Sequence, residues 1–555
     1  MQNHRAKIYF ITENTPIDIN KFSRLLDVVV IIGLILAVAV YSLVTIDFKM
    51  QPFEDAAILM RYVENFAGGH GIVWNIGEQP VDGATDFLFM VFAAALVKLG
   101  LSAAEAVRFL VIFAHFLTVV IIYIANRRFY DAPIWAAGLS ALYLGIGPGL
   151  LLIAAYFGTP VFGLLAALTW CCALYLVLRR VTHIWSLAFA LFGLVMGLIR
   201  PEGVILASLM LLAILYRLGW KRGRLVFFYF VLIFTVLGSL YFVWRWSYFG
   251  YPLPNPFYKK GGGQLYWSSL IASTINVFRF SLPFLITFVL ALRSRETIRD
   301  AIFAAIPIVG FMAAFILLSE EMNYVGRFQY AVLPILLLSW YPLVKTVPQD
   351  FHLTHLRDLS WAHHVTAVLF GGFIFLAILG YQFSQRNIIR FTLDGRYDVA
   401  TMLSEYQAKG YTLATTEAGL LPLYSGWRTI DAWGLNDKWI AHNNGRITAE
   451  YLAQNNPEII MFHAYYSPIA ALTGPNKNLE GDDWVDMTLT MQAYAEANDY
   501  VLAAAYGVIP FHAHYYYIRP DFPESVEIIE RIRSMDYYWV MDVDGRTAID
   551  FSRAQ

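Results

Sequence analysis

The sequence contains little charge and almost no cysteine. Lys, Arg, Asp and Glu make up 15% of its 555 residues, whereas a soluble globular domain carries about 25%, so an ordinary soluble protein is excluded. The two cysteines, Cys171 and Cys172, are adjacent in an apolar run. Neighbouring side chains on a helix point about 100° apart, which argues against a disulfide framework, a cysteine zinc site and a redox pair.

The net charge is close to zero, with 40 basic against 41 acidic residues. We therefore expect no nucleic-acid partner. Hydrophobic residues, 58% of the chain, lie instead in runs that reach the roughly 17–25 residues a helix needs to cross a bilayer. Eleven spans are predicted, at 25–45, 105–125, 133–151, 161–178, 184–199, 203–217, 225–245, 280–292, 301–318, 328–344 and 365–383.

The first run is interpreted as a retained helix rather than a cleaved signal peptide. It has spanning length, and no Ala-x-Ala cleavage site follows it. A second apolar run, 87–99, is only about 13 residues long, too short to cross. We predict that it forms an interfacial or re-entrant helix on the outer face.

Basic residues between the spans predict the orientation. Their densest clusters lie in the tail 1–24 and at 127–128, 179–180, 217–224 and 293–299. All of them face the cytoplasm if the N-terminus does. We thus expect a multi-pass inner (plasma) membrane protein with a cytoplasmic tail and a transmembrane part. Its C-terminal domain would be periplasmic or otherwise extracytoplasmic. The predicted domains are 1–24, 25–383 and 384–555.

The last of these domains has the pattern of a small α/β fold. Helix-like and strand-like segments alternate along it, and Pro520 to Pro523 predicts a turn before one more short helix. The other predicted helices are 398–408, 447–455 and 486–497, and the strands are 411–416, 458–463, 499–506 and 513–518.

The first outer loop, 46–104, contains an acidic pair. Glu54 and Asp55 stand at the start of an amphipathic helix predicted over 55–67 along the membrane surface. Asp55, helped by Glu54, would deprotonate an acceptor hydroxyl or hold Mg²⁺ or Mn²⁺ against a phosphate. The helix macrodipole alone also favours acidic residues at a helix start, which is the structural alternative.

The same loop carries a family resemblance. It contains, in order, Glu54-Asp55-Ala56, Arg61, His70-Gly71-Ile72-Val73-Trp74-Asn75, Glu78 and Thr85-Asp86-Phe87-Leu88-Phe89. These motifs resemble the first outer loop of membrane glycosyltransferases of the GT-C architecture that use polyprenyl-phosphate sugars, in particular the mycobacterial terminal β-(1→2) arabinofuranosyltransferase type. That family has aspartate where Glu54 stands, so Asp55 is weighted above Glu54.

Later segments resemble the same family and follow in the expected order. They are 197–203, 250–260, 324–328, 417–426, 430–431 and 434–437.

Four cations are predicted on the outer side, against the positive-inside tendency: Arg200, Lys259, Lys260 and Arg327. An anionic donor phosphate would account for them, since Arg forms bidentate contacts with phosphate and Lys acts as a point charge. The alternative is snorkelling to the head groups or local pairing, such as Arg200 with Glu202.

The remaining candidates are polar residues of the outer segments. The substrate-binding candidates are Arg61, His70, Asn75, Glu78, Asp86, Glu202, Asn255 and Tyr258, and the weaker acceptor-binding candidates are Glu417, Asp431 and Asn436. Trp427 and Trp433 either form a sugar-stacking platform with Asp431 and Asn436 or belong to the domain core.

A histidine pair lies further along the same domain. His512 and His514 share a face of a predicted strand. No third ligand is apparent, so no metal is expected there.

The resemblance implies a glycosyltransferase. It would transfer a sugar, arabinofuranose-like in the related type, from a polyprenyl-monophosphate carrier to a cell-envelope glycan or glycoconjugate on the extracytoplasmic face. No Gly-rich nucleotide loop precedes the candidate residues, so no nucleotide cofactor is expected.

Two rival functions stay open. A lipid-linked sugar flippase or transporter predicts ionisable residues at mid-membrane. A non-catalytic membrane scaffold that binds cell-wall polymer predicts no turnover.

Overall fold

The protein is a helical multi-span membrane protein with a C-terminal mixed α/β region. The computed structural model describes residues 19–260, 263, 265–345, 373, 376, 380, 395–464, 482–509 and 512–535. Within these residues, seven helices are long and apolar enough to cross a membrane. They are Arg24–Thr45, Ala103–Tyr130, Ile134–Ala154, Thr159–Leu178, Gly203–Phe249, Trp267–Arg293 and Arg295–Ala314.

The longest of these segments, Gly203–Phe249, reverses direction at Gly219. This glycine has φ 70° and ψ 165°, outside the helical region. A Cβ placed on Gly223 would lie 3.8 Å from the Cα of Leu215, although eight residues of straight helix rise about 12 Å. The segment is therefore a hairpin of two helices, which agrees with two separate spans predicted from the sequence.

Two other predicted spans are short apolar helices. His183–Ile199 and Val332–Val344 occupy the places of the spans predicted at 184–199 and 328–344. The span predicted at 365–383 lies almost wholly outside the described residues.

Two predicted boundaries are wrong. The helices that begin at Trp267 and Arg295 start well before the predicted positions 280 and 301. Serines in the first helix and charged residues in the first turns of the second lower the local hydropathy, so the apolar signal appears late.

The membrane part buries two helices most deeply: the apolar windows of Ile134–Ala154 and Thr159–Leu178 are 83% and 72% buried, against 11% for Arg24–Thr45. Its helices are α1 (Ile19–Thr45), α2 (Glu54–Ala67), α3 (Phe87–Lys98), α4 (Ala103–Tyr130), α5 (Ile134–Gly145), α6 (Gly149–Ala154), α7 (Thr159–Leu178), α8 (His183–Ile199), α9 (Gly203–Ile233), α10 (Ser239–Phe249), α11 (Asn255–Lys259), α12 (Trp267–Ser281), α13 (Leu285–Leu290), α14 (Arg295–Ala314), α15 (Val332–Leu337) and α16 (Trp340–Val344).

The first outer loop folds as the sequence predicts. The amphipathic helix α2 buries Ala57, Met60 and Val63 completely, and its chain leaves through Gly68 and Gly69, where Gly69 has φ 84°. The apolar helix α3 has 12 residues, too few to cross a bilayer.

The C-terminal region is a five-stranded mixed sheet with helices around it. The strand order is β2-β1-β3-β5-β4; β1 is parallel to β2 and β3, and β5 is antiparallel to β3 and β4. The elements are α17 (Arg396–Ser404), β1 (Thr412–Thr415), α18 (Leu420–Ser425), β2 (Arg428–Asp431), α19 (Lys438–His442), α20 (Ala449–Asn455), β3 (Ile459–Ala464), α21 (Asp483–Ala497), β4 (Val501–Ile509), β5 (His512–Ile518) and α22 (Ser525–Arg533).

All the helices and strands predicted in this region are present, each shifted by a few residues at most. Three short elements were not predicted: α18, β2 and α19. Each has only four to six residues, too few for a periodic pattern to emerge. Two of them, α18 and β2, make the contacts that dock this region on the first outer loop.

Candidate active site

Loops distant in sequence meet around one cavity at one end of the helices. The start of α2 supplies Asp55, the turn between α8 and α9 supplies Arg200, and the segment before α15 supplies Arg327. The cavity has a volume of about 170 Å³. It is lined by Asp55, Ala56, Ile58, Leu59, Gly83, Ala84, Thr85, Asp86, Tyr156, Phe157, Gly158, Arg200, Pro256, Lys260, Arg327, Phe328 and Leu435.

Asp55 and Arg327 form an ion pair in this cavity. The guanidinium carbon of Arg327 lies 4.2 Å from the ring centre of Phe157 and 5.0 Å from that of Phe328. Arg327 is 7% exposed, and its buried Nε has no hydrogen-bond partner among the described residues. Leaving a buried donor unsatisfied costs about 1–3 kcal/mol, so this N–H is suited to an incoming anionic oxygen.

The backbone that presents Arg327 is strained. Val325 has φ 59° and Gly326 has φ 67°. Glycine adopts this region readily, but a β-branched residue there is an outlier that persists only where the surroundings enforce it. Strain of this kind is typical of ligand-binding segments.

Arg200 ends α8 and contacts two carboxylates. Its Nε donates to Glu202 Oε1 at 2.6 Å, and its terminal nitrogen lies 3.5 Å from Asp86 Oδ2. Burial lowers the pKa of Arg200, but the Asp86 and Glu202 carboxylates outweigh it and raise the pKa above its usual value. Burial raises the pKa of Asp86, and Arg200 opposes that rise. Arg200 therefore stays charged in a buried setting.

Each cation that lines the cavity is paired with a carboxylate. Arg327 pairs with Asp55, Arg200 with Glu202 and Asp86, and Lys260 with Glu321. An anionic ligand would therefore compete with these carboxylates for the same cations.

The two adjacent lysines predicted to bind phosphate point to different places. Lys260 lines the cavity and lies 3.6 Å from Glu321. Lys259 donates to the carbonyl of Gly445 at 2.6 Å and lies 3.7 Å from the ring centre of Trp433. Burial lowers the pKa of Lys259. Only Lys260 of the two reaches the Asp55 cavity.

Glu54 turns away from Asp55 toward the C-terminal region. Its Oε1 accepts from the N–H groups of Gly419 and Leu420 at 2.7 and 3.0 Å, and its Oε2 lies 3.1 Å from Arg396. A Cβ at position 419 would clash with the Glu54 carbonyl oxygen, so this approach requires glycine.

The Glu54 and Asp55 carboxylates do not form a shared metal site. Each is paired with a different arginine, and among the described residues they belong to no group of three ligand-type side chains. A Mg²⁺ or Mn²⁺ ion held by Asp55 against a phosphate stays a prediction.

Three candidates from the first outer loop hold the C-terminal region. Arg61 is fully buried; it donates to the carbonyls of Trp74 and Trp427 at 2.8 Å each, and burial lowers its pKa to about 10. Asn75 both accepts from and donates to the Thr429 backbone, at 2.9 and 3.0 Å. Glu78 pairs with Arg428 at 2.7 Å. These three do not line the cavity.

Asn255 is also a docking residue. Its amide donates to the carbonyls of Gly434, Leu435 and Asp437 at 3.0–3.1 Å.

Asp431 and Asn436 stabilise the loop that Asn255 contacts. Asp431 is wholly buried, and burial raises its pKa to about 6. Its carboxylate accepts hydrogen bonds from the backbone N–H and the side-chain amide of Asn436, at 2.8 and 2.9 Å. Asn436 in turn accepts from the Tyr62 hydroxyl at 3.1 Å. Both residues are covered by protein, whereas an acceptor-binding residue needs an open surface. His70, by contrast, is exposed.

A second, larger cavity adjoins the first, because Lys260 lines both. Its volume is about 1110 Å³. The Trp433 and Trp484 rings, 5.0 Å apart, line it together with Tyr258. Trp427, in contrast, lies in the domain core, 1% exposed.

Glu417, His463 and His514 form a group that could hold a metal ion. Their ligand atoms all lie within 4.8 Å of one another. The expectation that His514 lacks further ligands is therefore wrong, because two of the three come from other strands that only folding brings close. The His512 side chain is outside the described part of the structure.

Three residues of the site went unrecognised in the sequence. Phe157 and Tyr156 line the cavity but stand in an apolar run, where the sequence gives no sign of a site. Arg396 joins Glu54 and Glu417; it lies in a large domain, where basic residues do not stand out against the positive-inside tendency.

The architecture is similar to that of solved membrane enzymes. ArnT from Cupriavidus metallidurans in the apo state is 16% identical, with 88% of this chain and 97% of that chain covered and a TM-score of 0.57. The same protein bound to undecaprenyl phosphate is 14% identical, with 88% of this chain and 97% of that chain covered and a TM-score of 0.57. The archaeal oligosaccharyltransferase AglB from Archaeoglobus fulgidus was solved in complex with an inhibitory peptide and a dolichol-phosphate. It is 12% identical, with 90% of this chain and 75% of that chain covered and a TM-score of 0.50.

The likeness is one of fold. It supports the GT-C architecture predicted from the sequence and leaves the arabinofuranosyltransferase type unconfirmed. A family model described as a domain of unknown function (DUF8728) matches residues 386–488, less than half of the chain. No curated protein matches the sequence significantly.

Proposed function

We propose that this protein is a membrane glycosyltransferase that takes a sugar from a polyprenyl-monophosphate carrier. It transfers the sugar to a cell-envelope glycan or glycoconjugate on the extracytoplasmic face. The resemblance of the first outer loop makes an arabinofuranose-like sugar the first donor to test.

The observation that carries this proposal is the convergence of opposite charges at one cavity. Arg200, Arg327 and Lys260 come from three separate loops and surround a space that also contains Asp55. The unsatisfied, buried Nε of Arg327 adds a donor suited to a phosphate oxygen. A carboxylate beside a phosphate-binding cluster is the arrangement that transfer from a phosphate-linked donor needs.

The chemistry follows from these positions. The acceptor hydroxyl loses its proton to the Asp55 carboxylate while its oxygen forms a bond to the anomeric carbon of the sugar. The bond between that carbon and the phosphate oxygen breaks, and its electron pair leaves with the polyprenyl phosphate. Arg327 and Arg200 stabilise the charge that develops on the phosphate.

The donor reaches this site from the membrane. Nucleotide sugars are not supplied outside the cytoplasm, so a donor used there must arrive on a lipid. Solved structures of the similar proteins ArnT and AglB contain undecaprenyl phosphate and a dolichol-phosphate. We therefore propose a polyprenyl phosphate in the Asp55 cavity, with the C-terminal region on the extracytoplasmic side.

The acceptor approaches through the second cavity. This space is several times larger than the first and shares Lys260 with it. Trp433 and Trp484 offer apolar faces, on which sugar rings stack. The acidic groups around them, including Asp482 and Glu320, supply hydrogen-bond acceptors for hydroxyls.

The test is turnover with purified protein and synthetic polyprenyl-phosphate sugars. We expect release of polyprenyl phosphate that depends on an acceptor, and a decrease of about 10²–10⁴-fold in kcat in Asp55→Asn, since that variant keeps the shape and loses the base. Asp499→Asn is the matched control, because Asp499 is an exposed turn residue with φ 57°, which asparagine also tolerates.

Two outcomes would contradict the proposal. Equal activity of Asp55→Asn and Asp499→Asn would remove Asp55 from the mechanism. Absence of turnover with every donor, together with translocation of labelled lipid in vesicles, would favour a flippase instead.

A further inference from the structure

The end of the C-terminal sheet gathers two side chains from neighbouring strands and a third from the loop that follows an adjacent strand. His463 on β3 and His514 on β5 stand directly opposite each other in the antiparallel register. Glu417 follows β1, which pairs with β3 on its other side. The strand order thus brings residues almost a hundred positions apart to one point.

The three side chains are in contact. His463 Nδ1 lies 2.7 Å from Glu417 Oε1, and the two imidazole rings stack with centres 4.3 Å apart. His463 and His514 are 5% and 2% exposed. All three ligand atoms lie within 4.8 Å of one another.

We propose that Glu417, His463 and His514 bind a divalent transition-metal ion, Zn²⁺ in the first instance. Two imidazoles and one carboxylate are ligands that zinc prefers, at bonds of about 2.0–2.2 Å, which place ligand atoms about 3.4 Å apart. In the structure the ligand atoms all lie within 4.8 Å of one another, and His463 Nδ1 and Glu417 Oε1 are 2.7 Å apart. Binding would therefore lengthen this contact. A water molecule completes four-coordination.

The surroundings hold the ligands in place. Glu417 Oε2 accepts from Arg396 at 3.0 Å, which leaves Oε1 directed at His463. The His463 backbone is held at both ends, since its N–H donates to Thr416 Oγ1 at 2.9 Å and its carbonyl accepts from Trp484 Nε1 at 2.8 Å. Outer contacts of this kind orient metal ligands and tune affinity.

The site lies next to the contact between the two parts of the protein. Arg396 contacts both Glu417 and Glu54, at 3.0 and 3.1 Å. Glu54 precedes Asp55 at the start of α2. A bound ion therefore stabilises the docking of the C-terminal region on the helix that carries Asp55. This role concerns folding and docking and supplies no chemical step of the proposed transfer reaction.

The experiment measures metal content of the full-length protein in detergent. The protein is stripped with a chelator, equilibrated with ZnCl₂, desalted and assayed for zinc by mass spectrometry. We expect one zinc per chain in the wild type and none in His463→Ala or His514→Ala. His442→Ala is the control, because His442 is an exposed histidine of the same domain, outside the cluster.

The assay can overturn the proposal in two ways. Zinc absent from the wild type, or equal zinc in the cluster variants and in His442→Ala, excludes this site. Arg396→Ala gives a graded result: we expect zinc affinity to fall about 10–100-fold, as for other outer-shell changes.

A second measurement covers the case in which the alanine variants do not fold. X-ray absorption of the zinc-loaded wild type reports the ligands directly. A shell of two imidazoles with a carboxylate oxygen supports the site, and sulfur ligands or a shell of water alone overturn it. Neither measurement depends on turnover, so the metal site and the glycosyltransferase proposal can fail separately.

Discussion

Adjacent residues of this chain act in different places. Glu54 and Asp55 look like one acidic pair in the sequence, yet the first contacts Arg396 and the second Arg327. Lys259 and Lys260 separate in the same way. On a helix, neighbouring side chains diverge by about 100°, so a pair in sequence is not a pair in space.

Arg327 is the residue on which the donor-phosphate proposal can be tested most directly. We expect Arg327→Ala to lower kcat/KM for the lipid donor by about 10²–10³-fold, the usual loss for one oxyanion-stabilising group. Arg327→Lys keeps the charge but loses the planar donor set. We expect its kcat/KM to lie between those of the wild type and Arg327→Ala. Steady-state kinetics with varied donor lipid measure both.

The control for this series is Arg531→Lys. Arg531 pairs with Glu405 at the surface, where the exposed fractions are 33% and 59%, and such pairs contribute little. Unchanged donor kinetics in Arg327→Ala would show that Arg327 binds no phosphate.

At the scale of elements, β2 depends on a side chain from another part of the chain. β2 is at the edge of the sheet, where backbone groups need partners. Asn75 pairs with both the N–H and the carbonyl of Thr429, and Trp74 Nε1 reaches the same carbonyl at 3.1 Å. The Trp74 and Asn75 side chains therefore satisfy backbone groups of β2 at this edge.

Asn75→Ala tests this docking contact. Because it leaves a buried N–H without its partner, we expect the free energy of unfolding to fall by about 1–3 kcal/mol. Thermal unfolding in detergent measures the change. Asn443→Ala removes only one long surface bond of 3.4 Å and should change stability by less than about 0.5 kcal/mol. Equal melting of the two variants would rule out a docking role for Asn75.

At the scale of the whole molecule, the two cavities lie where the membrane part and the C-terminal region meet. Pro256 and Arg327 from one part and Leu435 from the other line the first cavity. Tyr258 and Trp433 do the same for the second. Residues of both parts line each cavity, so the docking contacts are a condition for the proposed activity.

Trp433→Ala and Trp484→Ala test the second cavity as the acceptor site. Loss of a stacking face worth about 0.5–1.5 kcal/mol should raise KM for the acceptor about 2–10-fold and leave KM for the donor lipid unchanged. Trp439→Ala is the control, since Trp439 stacks on Tyr451 outside the cavity. A rise in donor KM alone would place the donor, not the acceptor, in this space.

The sequence by itself determined the membrane class, most spans and the order of elements in the C-terminal region. Runs of apolar residues and periodic patterns are local, so they can be recognised without knowledge of the fold. The outer-loop motifs also pointed to Asp55, Asp86, Arg200 and Arg327, which the structure places around one cavity.

Only the tertiary structure decided which of the remaining candidates face a ligand. Arg61, Asn75 and Asn255 donate to backbone carbonyls of the C-terminal region. His463 and Glu417 joined His514 only through strand pairing. A hydrogen-bond donor is the same residue type in the sequence whether it binds a neighbouring domain or a substrate. The physical reason is that its partner is chosen by contacts between distant parts of the chain, which a local pattern does not contain.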